Sequence, residues 1–309
     1  MKKQPPSFGR LFGKPWSAAL FGLAKNFGLQ IFLALLVALY FASAPKTEKS
    51  VKSALLNPKY QADQIELFEP GQGRLVLTKA GSFWLGQFES DQAHGLDSSK
   101  NSVYFSCDSI LIQKLLYNLQ SIVNLYEISY TNSAKEKFGL RQDRAFSLKI
   151  WQKTQVVTSV KFGALDSQKR IALCADKNTK IWSTDSAALA PYLTVSPDFW
   201  AAPEIFPKDI LGADKKYRHG KLALSPANPG APLLASELDW SAARQKIFDS
   251  GDGNLYRALF LPKSGGDYYF AFEAVPSAQR PQEEKDALKK INAVWTVSAW
   301  TFERVFEGD

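Results

Sequence analysis

Few residues of this chain could do chemistry, and they lie far apart. There are two histidines and two cysteines in 309 residues. His94 sits in the polar stretch Asp91-Gln92-Ala93-His94-Gly95. His219 sits in the basic run Lys215-Lys216-Tyr217-Arg218-His219-Gly220-Lys221. Neither stands beside a cysteine or at a metal-ligand spacing. Cys107 and Cys174 leave two readings open: a disulfide, or two small buried residues. No histidine close in sequence marks either thiol as a nucleophile. Asp249-Ser250-Gly251-Asp252-Gly253-Asn254 invites a calcium reading, but its alternate positions are Gly251 and Gly253, which offer backbone oxygen alone. It fits better as a tight turn before a strand at Leu255. No GxSxG elbow, SxxK pair or GxxxxGK[ST] loop occurs. The sequence therefore assigns no catalytic residue, no metal ligand and no cofactor site.

The basic run could contact acidic headgroups or an acidic partner, but it reads first as a solvated connector. The overall charge points the same way. The net charge is +8, from 38 basic and 30 acidic residues. Lys2, Lys3, Arg10, Lys14 and Lys25 all precede Pro45, with no Asp or Glu among them. Taking these five from 38 leaves 33 basic against 30 acidic residues, a net of +3. The basic character is largely a property of the tail, and no nucleic-acid partner is needed to explain it.

Residues 27–44 read FGLQIFLALLVALYFASA, with no charge and with Gln30 as the one strongly polar side chain. Eighteen residues at about 1.5 Å each span roughly 27 Å, close to the hydrocarbon thickness of a bilayer. Phe27, Ile31, Leu35, Leu39 and Ala44 mark the expected anchor. Tyr40 and Phe41 fall where aromatic rings favour the interface, and the basic residues 1–26 belong on the cytoplasmic side. The rival reading is a cleaved signal peptide ending at Ala42-Ser43-Ala44, although Pro45 would follow the cut. Trp16–Ala24 is a weaker apolar stretch, too short to span, and suits a helix lying on the membrane surface.

Beyond the anchor the sequence predicts an α+β fold: an extracytoplasmic domain of mainly antiparallel strands covered by helices. Residues 45–63 read as a polar stalk, 64–207 as the main domain, 208–233 as a connector and 234–309 as a C-terminal hairpin-plus-helix unit. Strand-type runs occur at 65–69, 74–79 and 82–88, the last two joined at Ala80-Gly81. Asp108 or Ser109 caps a helix whose stripe is Leu111, Ile112, Leu115, Leu116, Leu119, Ile122 and Val123. Further strands are expected at 126–130, 145–151, 156–163, 170–174 and 179–183, then a short helix near Pro191-Tyr192. Strands at 254–262 and 267–274 and one helix from Gln282 to Glu307 close the chain. On that helix Val297 and Trp300 fall opposite the Leu288–Phe306 stripe. They are the candidate partner contact, set against burial of the helix on two sides.

Residues 64 to about 207 resemble the bacterial family called domain of unknown function 4340. The resemblance rests on Gln64-Ile65-Glu66-Leu67, on Arg74-Leu75-Val76-Leu77 with Phe83-Trp84-Leu85, on Leu115-Leu116-Tyr117-Asn118-Leu119, on Phe138-Gly139-Leu140 and on Phe162-Gly163. Residues 89–107 stand as an insertion, and Ser196-Pro197-Asp198-Phe199-Trp200 departs from the family pattern. The resemblance implies a single-pass protein of the bacterial cytoplasmic membrane, N-terminus inside, that accompanies the subunits of an ABC-type export system of the gliding-motility kind. Its partners would be the lipid bilayer and those membrane subunits. The expectation is thus a non-enzymatic accessory protein. The alternatives are an anchored enzyme acting on cell-envelope material and a self-associating envelope scaffold.

Overall fold

A computed structural model describes residues 28, 30, 32–39, 49–91, 102–129, 131–166, 168–175, 180–202, 221–226, 232–249 and 255–306. The chain divides into two compact units, Met1–Lys49 and Ser50–Asp309. In the first, residues 28, 30 and 32–39 are helical. Phe32, Leu33, Leu35, Leu36, Val37 and Leu39 all leave large parts of their side chains exposed. Among the described residues no helix is long and apolar enough to cross a membrane. Phe27, Ile31 and Ala44 of the expected anchor lie outside the described residues.

The second unit is mostly antiparallel sheet with helices, an α+β arrangement. Its large sheet contains β1 (Ser50–Ser53), β2 (Gln64–Glu69), β3 (Gly73–Ala80), β4 (Phe83–Ser90), β5 (Val103–Ser106), β6 (Val123–Ser129), β7 (Phe146–Gln152), β8 (Gln155–Leu165), β9 (Arg170–Ala175) and β10 (Ile181–Asp185). The order is β1-β6-β10-β9-β8-β7-β2-β3-β4-β5. Two four-strand meanders, β2–β5 and β7–β10, thus meet through their first strands. At that seam Leu67 faces Leu148 and Glu66 faces Lys149. Alternation fixes which face is which. Ile65, Leu67, Leu148 and Ile150 enter the core, while Glu66 and Lys149 point to the other face.

Helices cover the apolar face. In α1 (Ser109–Gln120), Ile112, Leu115 and Leu119 are buried, and the Asp108 carboxylate caps the helix by accepting the Ile110 N–H. The second meander is followed by a 3-10 turn, Ala190–Tyr192, and by α3 (Pro197–Trp200), whose Trp200 is fully buried. On the opposite face α2 (Asn132–Lys137) and the following turn close a small cluster of Leu140, Ala172, Cys174 and Ile181.

A four-stranded antiparallel sheet follows, in the order β11 (Arg244–Asp249), β12 (Leu255–Pro262), β13 (Tyr268–Val275), β14 (Trp295–Val297). It packs with α4 (Gln282–Lys290) and α5 (Ala299–Phe306). Its apolar residues, Tyr256, Phe260, Phe270 and Trp295 among them, belong to the same continuous core as the large sheet. The boundary expected at 208–233 therefore separates two sheets inside one compact unit. The free edge of β5, an aggregation liability if left open, is sealed from that side. Asn292 and Ala293 N–H groups donate to Tyr104 O, and Asn292 Oδ1 accepts the Tyr104 N–H at 2.7 Å. Residues 200–202 cover the rest through Trp200 O and the Ala202 N–H.

Three expectations are corrected. From Ser50 onward the expected stalk is part of the fold: β1 pairs with β6, and Leu56 is fully buried. The β3–β4 turn is Gly81-Ser82, because Ala80 pairs with Phe83. The single helix from Gln282 to Glu307 is two helices with a strand between them. Trp295–Val297 are taken into pairing by Tyr268–Phe270. Tertiary pairing overrides a stretch whose β-branched and aromatic residues suit either period.

Candidate functional site

The ionisable groups that draw attention are spent on structure. Glu66 accepts from Arg74 at 2.9 Å and from Lys149 at 3.2 Å, so it ties β2 to β3 and β7. Burial pushes its carboxyl up, but these two cations outweigh that and hold it below the ordinary value. Asp166 closes the β8–β9 turn by accepting two backbone N–H groups and the Arg170 guanidinium. Arg170 also lies over the Tyr126 ring, 4.5 Å from its centroid. Glu284 accepts from Ser82 N–H and from Arg280. Each carboxylate has a cation of its own, and no two of them converge on an open cleft. Among the described residues no group of three or more His, Cys, Asp or Glu could hold a metal ion. His94, His219 and residues 250–254 of the acidic turn lie outside the described residues, and Lys221 is the one described member of the basic run.

Cys107 and Cys174 are both buried and form no disulfide. Cys107 belongs to the main core and Cys174 to the small cluster. Burial, with Asp108 beside it, pushes the Cys107 thiol well above its ordinary range, the opposite of a reactive thiolate.

The two residues of the candidate partner contact part company. Val297 is fully buried within β14, where it pairs with Tyr268. It is withdrawn from any surface, because the strand replaces the expected helix and alternation puts Val297 on the same buried face as Trp295. Trp300 lies on α5 and is 63% exposed, and the Arg304 guanidinium stacks on its ring at 4.9 Å.

One open site among the described residues was not legible as a site in the sequence. It is a groove of about 620 Å³ between α1, the 58–62 segment and the β3–β4 turn. Small-molecule sites generally fall within about 300–1,000 Å³. Ser109, Gln113, Leu116, Tyr117 and Gln120 line one wall. They recur at helical spacing beside the buried Ile112–Leu115–Leu119 stripe. Pro58, Tyr60 and Gln61 form the other wall, and Lys79, Gly81 and Ser82 lie along the hairpin. Ala62 and Trp84, both buried, supply its apolar base. The opposing wall is held by Leu56 N–H donating to Leu119 O and by the Gln120 amide donating to Tyr60 O. Tyr117 is 72% exposed and Tyr60 40%. The lining carries three amides, two phenols and one ammonium, with no carboxylate, imidazole or thiol. Such a set can donate, accept and stack, but holds no general acid–base pair.

No family model, no curated protein and no solved structure matches the chain.

Proposed function

We propose that the chain is a membrane-anchored, non-enzymatic accessory protein whose extracytoplasmic α+β unit binds partners. The observation that carries this reading is the helix at 32–39. It exposes six large apolar side chains, and it follows a 26-residue segment with five cations and no anion. Exposed apolar surface on that scale asks for a non-aqueous environment, and the flanking cations set the tail on the cytoplasmic side. The structural use of Glu66, Asp166 and Glu284 in ion pairs supports binding over catalysis. The partner class, membrane subunits of an ABC-type export system, comes from the resemblance to domain of unknown function 4340. Trp300 is the contact we assign to them. It is a large exposed aromatic side chain, of the type that dominates interface energetics, and Arg304 braces its ring.

The test is affinity purification of the full chain from membranes in mild detergent, with mass spectrometry of what accompanies it. The expected result is a permease and an ATPase in fixed ratio, lost on Trp300→Ala. Recovery of the chain alone, or its release from membranes by an alkaline carbonate wash, would overturn the reading.

A further inference from the structure

We infer that the groove between α1 and the 58–62 segment binds a neutral pyranose oligosaccharide chain. The inference rests on the reading of the unit as a binding domain, and it adds a second kind of ligand to the membrane partners.

The lining selects this class. Pyranose rings present patches of C–H on one side and hydroxyl groups around the rim. A site for them needs rings to stack against and planar groups that donate and accept together. Tyr117 and Tyr60 stand on opposite walls of the groove with much of their surface exposed. Gln61 and Gln113 are exposed on the same two walls, and their side-chain amides make no hydrogen bond among the described residues, so both can serve a ligand. Gln120 spends one donor on Tyr60 O and keeps its amide oxygen. Tyr60 and Tyr117 hydroxyls and the Ser109 hydroxyl add donors that can also accept.

The same residues argue against other classes. Lys79 is the single charge in the lining. A nucleic acid or a polyphosphate would ask for several cations along the path. A lipid tail or an apolar helix would ask for a lining without so many unpaired amides and hydroxyls, because burying those uncompensated is costly. Hydrolysis of a bound glycan would need a pair of carboxylates flanking the bond, and the groove has none. The groove therefore holds such a chain without cleaving it.

The experiment titrates the full-length protein in phosphatidylcholine nanodiscs, which avoids sugar-based detergents. Chitohexaose and maltohexaose are the two probes, followed by saturation-transfer NMR and calorimetry. The expected result is saturable binding of at least one probe with a Kd below about 1 mM. Tyr117→Ala should weaken it at least about tenfold, as loss of an aromatic anchor does, and Gln113→Ala by about threefold. Ile122→Ser, exposed and outside the groove, should leave binding unchanged. Tyr117 is so exposed that its removal leaves the fold intact, which a thermal melt of the variant checks. Absence of saturable binding of both probes up to about 10 mM, or equal binding by Tyr117→Ala, would overturn the inference. So would a co-purifying protein whose capture depends on Tyr117 when neither glycan binds. Loss of the permease on Trp300→Ala is a separate readout, so failure of the glycan site and failure of the accessory reading are told apart.

Discussion

The Glu284 carboxylate accepts the backbone N–H of Ser82 at 2.8 Å, across 202 positions of sequence. One bond joins α4 to the β3–β4 turn of the large sheet, and Arg280 holds the other carboxylate oxygen at 3.0 Å. Burial alone would raise this carboxyl, but the Ser82 and Arg280 hydrogen bonds hold it below its ordinary value. Glu284→Ala removes both the mostly buried ion pair with Arg280 and the acceptor of the Ser82 N–H. The expected cost is about 2 kcal/mol, read as a lower urea midpoint at unchanged slope.

Gly81 and Gly71 both adopt a left-handed conformation, with φ of 58° and 78°. They differ in what stands beside them. A Cβ at Gly81 meets the Glu284 side chain, and one at Gly71 meets nothing. Gly71→Ala should therefore cost about 1 kcal/mol, for backbone strain alone. Gly81→Ala should cost at least about twice that, because α4 must also shift. Equal losses in denaturant melts would mean that the Glu284 contact does not form.

Stability should fall as the solution is acidified. Glu66, Asp166 and Glu284 all titrate below their ordinary values of 4.5, 3.8 and 4.5 in the folded chain. Their contributions are complete above the unfolded values and are lost as pH falls through the folded ones. Glu69 works in the opposite sense: burial raises its carboxyl, partly offset by a backbone hydrogen bond at Val195. Its share is present below 4.5 and lost as pH rises through the raised value. The exposed Asp239 is lowered as well, by hydrogen bonds from Ser241, so the lowered groups outnumber the raised one and the melting temperature should drop below about pH 4.5. Glu66→Gln should flatten that drop.

Both thiols should stay silent in the native protein. Cys107 and Cys174 lie in separate clusters, and both are buried. A disulfide needs Cα atoms within about 7 Å and Cβ vectors that converge, which side chains placed in different clusters do not offer. A thiol reagent should label neither at neutral pH and both in urea. A mild oxidant should leave the reduced mass unchanged. Rapid labelling of Cys107 in the folded state would contradict its raised pKa and its place in the core.

Trp300→Ala should change unfolding free energy by no more than about 0.5 kcal/mol, as exposed substitutions do. Trp200→Ala is the internal contrast. Trp200 is fully buried, and its indole N–H donates to Thr194 O at 2.9 Å. Its loss should cost about 3–5 kcal/mol. Thermal melts of the two variants separate a surface tryptophan from a structural one.

By itself the sequence determined what depends on near neighbours along the chain. The strands β2 to β4 and β7 to β10 were readable because alternation is a local property: Ile65 and Leu67, or Leu148 and Ile150, declare a buried face without reference to any partner. The Asp108 cap and the Ile112–Leu119 stripe made α1 readable for the same reason. The N-terminal charge asymmetry and the uncharged run at 27–44 are likewise properties of composition alone.

Only the tertiary structure decided what depends on residues far apart. β1 looked like stalk because four polar-flanked residues become a strand only when β6 offers an edge. The last helix looked continuous because Ile291, Val294 and Trp295 satisfy a helical stripe as well as a buried strand. Tyr104 and the Tyr268–Phe270 edge chose the strand. That choice buried Val297 and left Trp300 outside. The groove follows the same rule. Tyr60 and Tyr117 stand 57 positions apart in sequence, and nothing local announces that they share a cleft. The Leu56–Leu119 hydrogen bond and the burial of Leu56 bring their two walls together.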